Sequence, residues 1–307
     1  MMDSLLEYRN CPSCGCNDYY VLFDSNMDKS DLRQGIETVY MLPGGKYGRH
    51  VKCSNCDLIY VNPIEKASKI NDDYSKRKSV DVSIIRGGRL RATKSQAQLI
   101  KKYNHSISLL DVGCGEGFFL FSASKAGYVA KGVELSQEAV AYAKKEFGLD
   151  VEAKPFEQLR FPENYFDVVT LWQVLEHLPH PLATLKEANR VLKPGGLLAV
   201  STPDIEGVPA RLLGKRWWNI RKIHINQFTT KTLKATLENA GFKDVSSACY
   251  RESISLLTLL MPVLKSSRLY GPLRRLLYPG SILGGAMDKI MLAYPSRLDN
   301  TTMIGFK

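Results

Sequence analysis

No stretch of this 307-residue chain is both long enough and apolar enough to cross a bilayer as a helix. The longest uncharged runs, 253–264 and 276–287, fall short of the about 20 apolar residues that a spanning helix needs. The N-terminus, MMDSLLEYRN, carries acids and lacks the apolar core of a secretory signal, so the expected location is the reducing cytoplasm. Disulfides are rare there, and the seven cysteines point to a metal instead. Acids are also in deficit, 31 against 42 bases, a net charge of +11. The excess is segmental. Residues 1–62 hold 6 bases and 8 acids, 63–105 hold 11 and 4, 106–250 hold 17 and 16, and 251–307 hold 8 and 3. The basic segments flank a balanced middle and read either as solvated helix faces or as attraction to an anionic surface or substrate. Few aromatics interleave with these bases and the first segment is acidic, which argues against nucleic acid as the partner.

What is present begins with ISLLDVGCGEG (107–117), an apolar strand that ends in Asp111 and opens into a turn of Gly113, Gly115 and Gly117. Glycine is required where a backbone turns tightly and lets a ligand approach. FFLFSASKAG then reads as a helix, and VAKGV as a second strand ending in Glu134. A pyrophosphate would be repelled by Asp111 and Glu116. A ligand with an ammonium, a sulfonium and a ribose diol would be held by such acids, with Glu134 placed to accept both ribose hydroxyls.

FDVVTLWQVLEHLPHP (166–181) and RVLKPGGLLAVSTP (190–203) follow in order. With the glycine turn, these blocks resemble the class I S-adenosylmethionine-dependent methyltransferases. The resemblance implies an α/β fold, a Rossmann-like seven-stranded sheet with its last strand antiparallel and helices on both faces. Strands are expected near 107–112, 129–133, 151–153, 166–171, 197–201, 245–250 and 301–306, and helices near 117–126, 136–147, 181–192 and 229–240. It implies that Asp111, Gly113 and Gly115 cradle the amino-acid end of the donor and that Glu134 with Leu135 holds its ribose. Phe156 and Glu157 would lie at the adenine, although Pro155 displaces the usual acid. Leu171, Trp172 and Gln173 would close the donor site. For a hydroxyl acceptor a base is needed, and His177 and His224 are the two candidates.

Ahead of this domain, Cys11–Cys14 and Cys53–Cys56 form two CxxC knuckles that suit one structural zinc with four thiolates. Gly15 and Asp57 follow them with residue types that tolerate a left-handed backbone. Strands are expected at 18–23 and 49–53. The expected organisation is a zinc ribbon at 1–62 and a basic helical linker at 63–105, broken at Gly87-Gly88, with Tyr74, Arg86 and Arg89 as lid candidates. The catalytic domain spans 106–250 plus 299–307, and 251–298 is an apolar-basic helical insertion. The insertion reads as a cap or homodimer surface, or as a peripheral contact with an anionic membrane at the inner face. A zinc ribbon before this domain resembles enzymes of sugar and surface-polysaccharide pathways, so the expected acceptor is a small or lipid-linked glycan. A zinc-knuckle ribosomal RNA methyltransferase and a non-catalytic donor-binding scaffold are the rival readings.

Overall fold

The computed structural model describes residues 6–28, 30–32, 45–77, 86–255 and 290–307. Its N-terminal part comprises β1 (Leu6–Glu7), β2 (Tyr19–Phe23), β3 (His50–Cys53), β4 (Ile59–Val61) and β5 (Ile64–Glu65), followed by the linker helices α1 (Ala67–Ser75) and α2 (Arg86–Tyr103). The alternating part runs through β6 (Ser108–Val112), α3 (Phe118–Lys125), β7 (Val129–Val133), α4 (Gln137–Phe147), β8 (Asp150–Glu152), β9 (Phe166–Trp172), α5 (Pro181–Val191) and β10 (Leu192–Pro203). It continues with α6 (Val208–Leu213), β11 (Asn226–Gln227), α7 (Thr230–Asn239), β12 (Lys243–Ser247), β13 (Arg251–Ser255), β14 (Met291–Pro295) and β15 (Asn300–Phe306).

Seven strands form the main sheet in the order β12-β15-β10-β9-β6-β7-β8. The five strands from β6 to β10 are parallel, and β15 enters antiparallel between β10 and β12. β6 and β9 are nearly continuous apolar runs because helices cover both sheet faces. Two large apolar clusters result, one on Leu110, Val169, Leu171 and Val200, the other on Leu109, Leu120, Val168 and Ala199. Chain order reverses between β6 and β9, so the crevice at their C-terminal ends is where a ligand is expected. α4 is capped at its start by the Ser136 hydroxyl, which accepts from the Ala139 amide. α7 carries a reciprocal Thr229–Thr232 capping box.

The linker and the insertion depart from expectation. Gly87 and Gly88 do not break the linker; they sit in the first turn of α2, where few backbone bonds depend on them. The insertion was expected to be helical, but its described ends are β13 and β14, paired antiparallel from Arg251–Pro295 to Ser255–Met291. Its apolar-basic middle, 256–289, lies outside the described residues, as do Leu42–Gly44 of the long inter-knuckle loop.

The N-terminal sheet is built from two parts of the chain. Its order is β11-β4-β3-β2, so Asn226–Gln227 from beyond the alternating part supplies an edge strand. Ser13 Oγ and Thr236 Oγ1 lie 2.7 Å apart, and Lys231 pairs with Asp57 at 2.8 Å, which fastens the knuckles to α7.

Candidate functional site

The two knuckles bring four thiols together. Cys11 and Cys56 Sγ atoms are 3.5 Å apart, those of Cys14 and Cys53 3.6 Å, and all four lie within 4.8 Å of one another. A tetrahedron with Zn–S bonds of ~2.3 Å has edges of about 3.8 Å, whereas a disulfide requires about 2.05 Å. The donor set therefore fits a closed, structural tetrathiolate centre. Gly15 (φ 76°) and Asp57 (φ 67°) take the left-handed backbone that turns each knuckle. Cys16 is outside the set, its sulfur facing the Asp18 carbonyl.

At the C-terminal edge of β6, Gly113 (φ 72°) and Gly115 (φ 53°) make the turn, for different reasons. A Cβ on Gly113 would lie 2.6 Å from Val174, so the turn after β9 packs directly on it. A Cβ on Gly115 would meet nothing within 4 Å, so it faces open space. Glu134 borders that space with both oxygens engaged, accepting from the Gly115 amide at 3.0 Å and the Ser136 amide at 2.8 Å. Asp111 is buried, accepts from the Thr170 hydroxyl at 2.7 Å, and has its carboxyl pushed up to about 8 by burial. Leu135 is half-buried beside Glu134.

Several expected donor-site side chains are committed elsewhere. Glu116 does not face a ligand cation, because Arg89 at 3.1 Å and Arg77 at 3.8 Å pair with it across the linker. Arg86 pairs with Glu146 instead. Phe156 and Leu171 are buried in the core, and Glu157 accepts from the Thr184 hydroxyl at 2.6 Å. The Gln173 amide donates to Asn300 at 3.1 Å. Trp172 packs between Phe119 and Tyr250, and its ring N–H is buried without a partner.

The two histidines, offered by the sequence as alternatives, belong to one cluster. Their ring centroids are 4.7 Å apart, and one nitrogen of each lies with a Glu176 oxygen in a group no wider than 4.8 Å. Three atoms that close share a centre within about 2.8 Å of each, which is hydrogen-bond distance. The His177 Nδ1 lies 2.9 Å from the Ile223 carbonyl, which can only accept. The proton of that ring is therefore on Nδ1, leaving Nε2 as a lone pair 3.9 Å from Glu176 Oε1. Arg221 donates to His224 Nε2 at 2.8 and 3.1 Å, so His224 carries its proton on Nδ1, a buried nitrogen that the Asn219 carbonyl faces. Both Glu176 oxygens are likewise buried, with the Thr202 hydroxyl beside the carboxyl. Burial pushes the Glu176 carboxyl up to about 7 and His177 down to about 3, and holds His224 well below its ordinary value.

The His177 Nε2 lone pair and the Glu176 carboxyl thus face one another, with His224 beside them. A metal would need three lone pairs, and His224 offers none here. A hydroxyl, which can donate to either accepting group, matches the pair. The assignment of base shifts accordingly. His224 cannot take a proton at Nδ1 and has Arg221 at Nε2, so Glu176, which precedes His177 in the turn after β9, becomes the stronger candidate. Tyr74 of α1 lies against His177 with centroids 5.7 Å apart, and its buried hydroxyl is within the electrostatic reach of both Glu134 and Glu176. An apolar pocket lined by Leu6, Val61, Ile64, Ile70 and Ile225 opens on Tyr74 and His177, so the N-terminal part walls this side of the cluster.

Residues 85–247, over half of the chain, match the family model described as a methyltransferase domain. The ubiquinone biosynthesis O-methyltransferase of Coxiella burnetii is 31% identical over 124 residues, covering 39% of this chain and 51% of that protein. The protein of the same name from Haemophilus ducreyi is 36% identical over 104 residues, covering 31% and 44%. The chain spans about half the length of the curated relatives it matches. A solved S-adenosylmethionine-dependent methyltransferase from Archaeoglobus fulgidus superimposes with a TM-score of 0.51 at 19% identity, covering 74% of this chain and 97% of that one, a likeness of fold.

Proposed function

Because the chain belongs to the methyltransferase-domain family, we propose that it transfers a methyl group from S-adenosylmethionine to a hydroxyl of a small acceptor. The observation that carries the acceptor chemistry is the cluster of Glu176, His177 and His224, in which the His177 Nε2 lone pair and the buried Glu176 carboxyl can each accept from one hydroxyl. The curated relatives, named as O-methyltransferases, support the same atom class.

Displacement at a sulfonium methyl needs alignment and a proton acceptor, not an enzyme nucleophile. In this reading Asp111, Gly113 and Gly115 take the donor's amino-acid end, and Glu134, held rigid by two amides, takes the ribose hydroxyls. Glu176 removes the proton of the acceptor hydroxyl, and His224, held by Arg221, borders the cluster. A carboxyl near 7 is poised for that task at neutral pH, whereas a histidine near 3 is a poor base. His177, pinned by Ile223, then positions the acceptor and Glu176. A structural zinc on Cys11, Cys14, Cys53 and Cys56 holds the ribbon that walls the pocket. A sugar or glycan intermediate, free or lipid-linked, is the acceptor we favour, since several hydroxyls could engage Tyr74 together with the cluster.

The test feeds methyl-labelled donor to the purified protein with a cell extract and partitions the label among lipid, glycan, RNA and protein. Label in an alkali-stable ether of the glycan or lipid fraction is the expected result. Label confined to RNA or protein refutes the acceptor, and failure of the donor to bind refutes the whole reading.

A further inference from the structure

Arg9, two residues ahead of the first knuckle, reaches across to the loops that carry the acceptor cluster. Its Nη1 donates to the Pro179 carbonyl at 2.9 Å, just past the turn that presents Glu176 and His177. Its Nη2 donates to the Ile225 carbonyl and to Asn226 Oδ1, both at 2.9 Å, just past His224. Its Nε donates to the Val61 carbonyl of β4 at 3.2 Å, and its main chain exchanges two 3.1 Å bonds with the Asn62 side chain. One planar guanidinium therefore bridges three segments remote in sequence, a geometry that the fork of arginine supports and a lysine point charge does not.

Asn226 repeats the tie from the other side. Its Nδ2 donates to the Leu175 and Leu178 carbonyls, both at 2.8 Å, and the Ile225 amide donates to the Glu176 carbonyl at 2.8 Å. The His177 Nδ1–H···O=C Ile223 bond spans the same gap. That bond fixes the His177 tautomer, so the separation of the two loops decides which nitrogen faces the acceptor.

We infer that Arg9 is a positioning residue for the acceptor site, clamping the 174–179 turn to the 220–226 loop so that His177 keeps its lone pair on Nε2. The N-terminal ribbon thereby sets the chemistry of a site that lies apart from its four thiols. This inference rests on the proposed function for its meaning, but its test does not require the acceptor.

The experiment compares wild type, Arg9→Met and Asn226→Ala, all full length and zinc-loaded, by side-chain ¹⁵N spectroscopy of the imidazoles, with calorimetric titration of S-adenosylmethionine as control. In wild type, His177 shows the separated nitrogen shifts of a single Nδ1–H tautomer. Arg9→Met moves these shifts toward the averaged values of a mixed population while donor affinity stays within about twofold of wild type, a factor of two being under 0.5 kcal/mol. Asn226→Ala, which cuts the same tie with a neutral side chain, shows the same change and carries the test if Arg9→Met does not fold. Wild-type imidazole shifts in whichever variant folds, or in both, overturn the inference. Loss of donor binding by the wild type would instead overturn the proposed function and leave the tautomer result standing.

Discussion

Replacing Glu134 tests two roles of one side chain. Its oxygens accept from the Gly115 and Ser136 amides at 3.0 and 2.8 Å, and the residue is 8% exposed. A carboxylate has about four acceptor sites, so two remain for the ribose hydroxyls. Alanine removes all four. In the donor-free protein it leaves two amide donors without their partner, one at the tip of the glycine turn and one at Ser136, the residue that caps α4. An unsatisfied buried donor costs about 1–3 kcal/mol, and water entering the open space beside Gly115 returns part of that. We therefore expect a loss of about 1–3 kcal/mol in stability, or several degrees in melting temperature for a domain of this size. Donor affinity should fall by a further ~1–3 kcal/mol, about 5- to 150-fold, as the charge-assisted bonds to the ribose are lost. Gln is the sharper variant. It keeps the size, but its NH₂ must face one of the two amides, so it can satisfy one and not both. It should lie between wild type and Ala in melting temperature and close to Ala in affinity. Thermal unfolding without donor and titration calorimetry with it measure the two effects separately. An Ala variant with wild-type affinity would remove Glu134 from the donor site. Wild-type melting would refute its role in holding the turn.

Three further outcomes are expected. Metal analysis of freshly reduced protein should find one zinc per chain, and Cys53→Ser, at a buried ligand position, should lower soluble yield before it lowers donor affinity; a zinc-free, fully folded wild type would contradict this. Glu176→Gln should cut turnover by about 10²–10⁴ with donor affinity kept, and more than His224→Ala does, whereas equal rates for Glu176→Gln and wild type would show that alignment alone suffices. Asp111 titrates near 8 in the fold against about 3.8 unfolded, so the folded state holds the extra proton between those values and stability falls as pH rises through that window. Glu176 and Asp299, each near 7, act in the same direction. Donor-free protein should thus melt lower at pH 8.5 than at pH 6, and Asp111→Asn should flatten that decline while weakening donor binding; a variant with the wild-type slope would place the titration elsewhere.

Much of the backbone that frames the proposed donor site was legible because its signals are local. Asp111, the glycine turn and Glu134 lie within about 24 residues on one β6–α3–β7 unit, where the apolar run, the glycine spacing and the acid at each strand end all constrain the same backbone. The strand and helix order of the alternating part, with the last strand antiparallel, emerged near the expected positions for the same reason. The linker and insertion were less legible. Glycines in the first turn of a helix break few bonds, and the alternation of RESIS and MLAYP is too short to outweigh the leucine-rich run between them.

Sequence alone determined which chemistry was on offer: four thiols in two knuckles, an acid at the end of each of the first two sheet strands, and two histidines in separate loops. Only the tertiary structure decided how those groups were used. Glu116 is taken by Arg77 and Arg89, 39 and 27 residues before it, and no local pattern announces that pairing. Glu176 and His177 meet His224 because the 220–226 loop returns to the turn after β9, with its strand β11 completing the N-terminal sheet. A proton's place on an imidazole depends on whether a carbonyl or a guanidinium stands beside each nitrogen. Those neighbours arrive from 46 residues away for His177 and from Arg221, one turn back, for His224. Spacing along the chain encodes local backbone conformation, whereas tautomer, burial and charge are set by what long-range packing brings into contact.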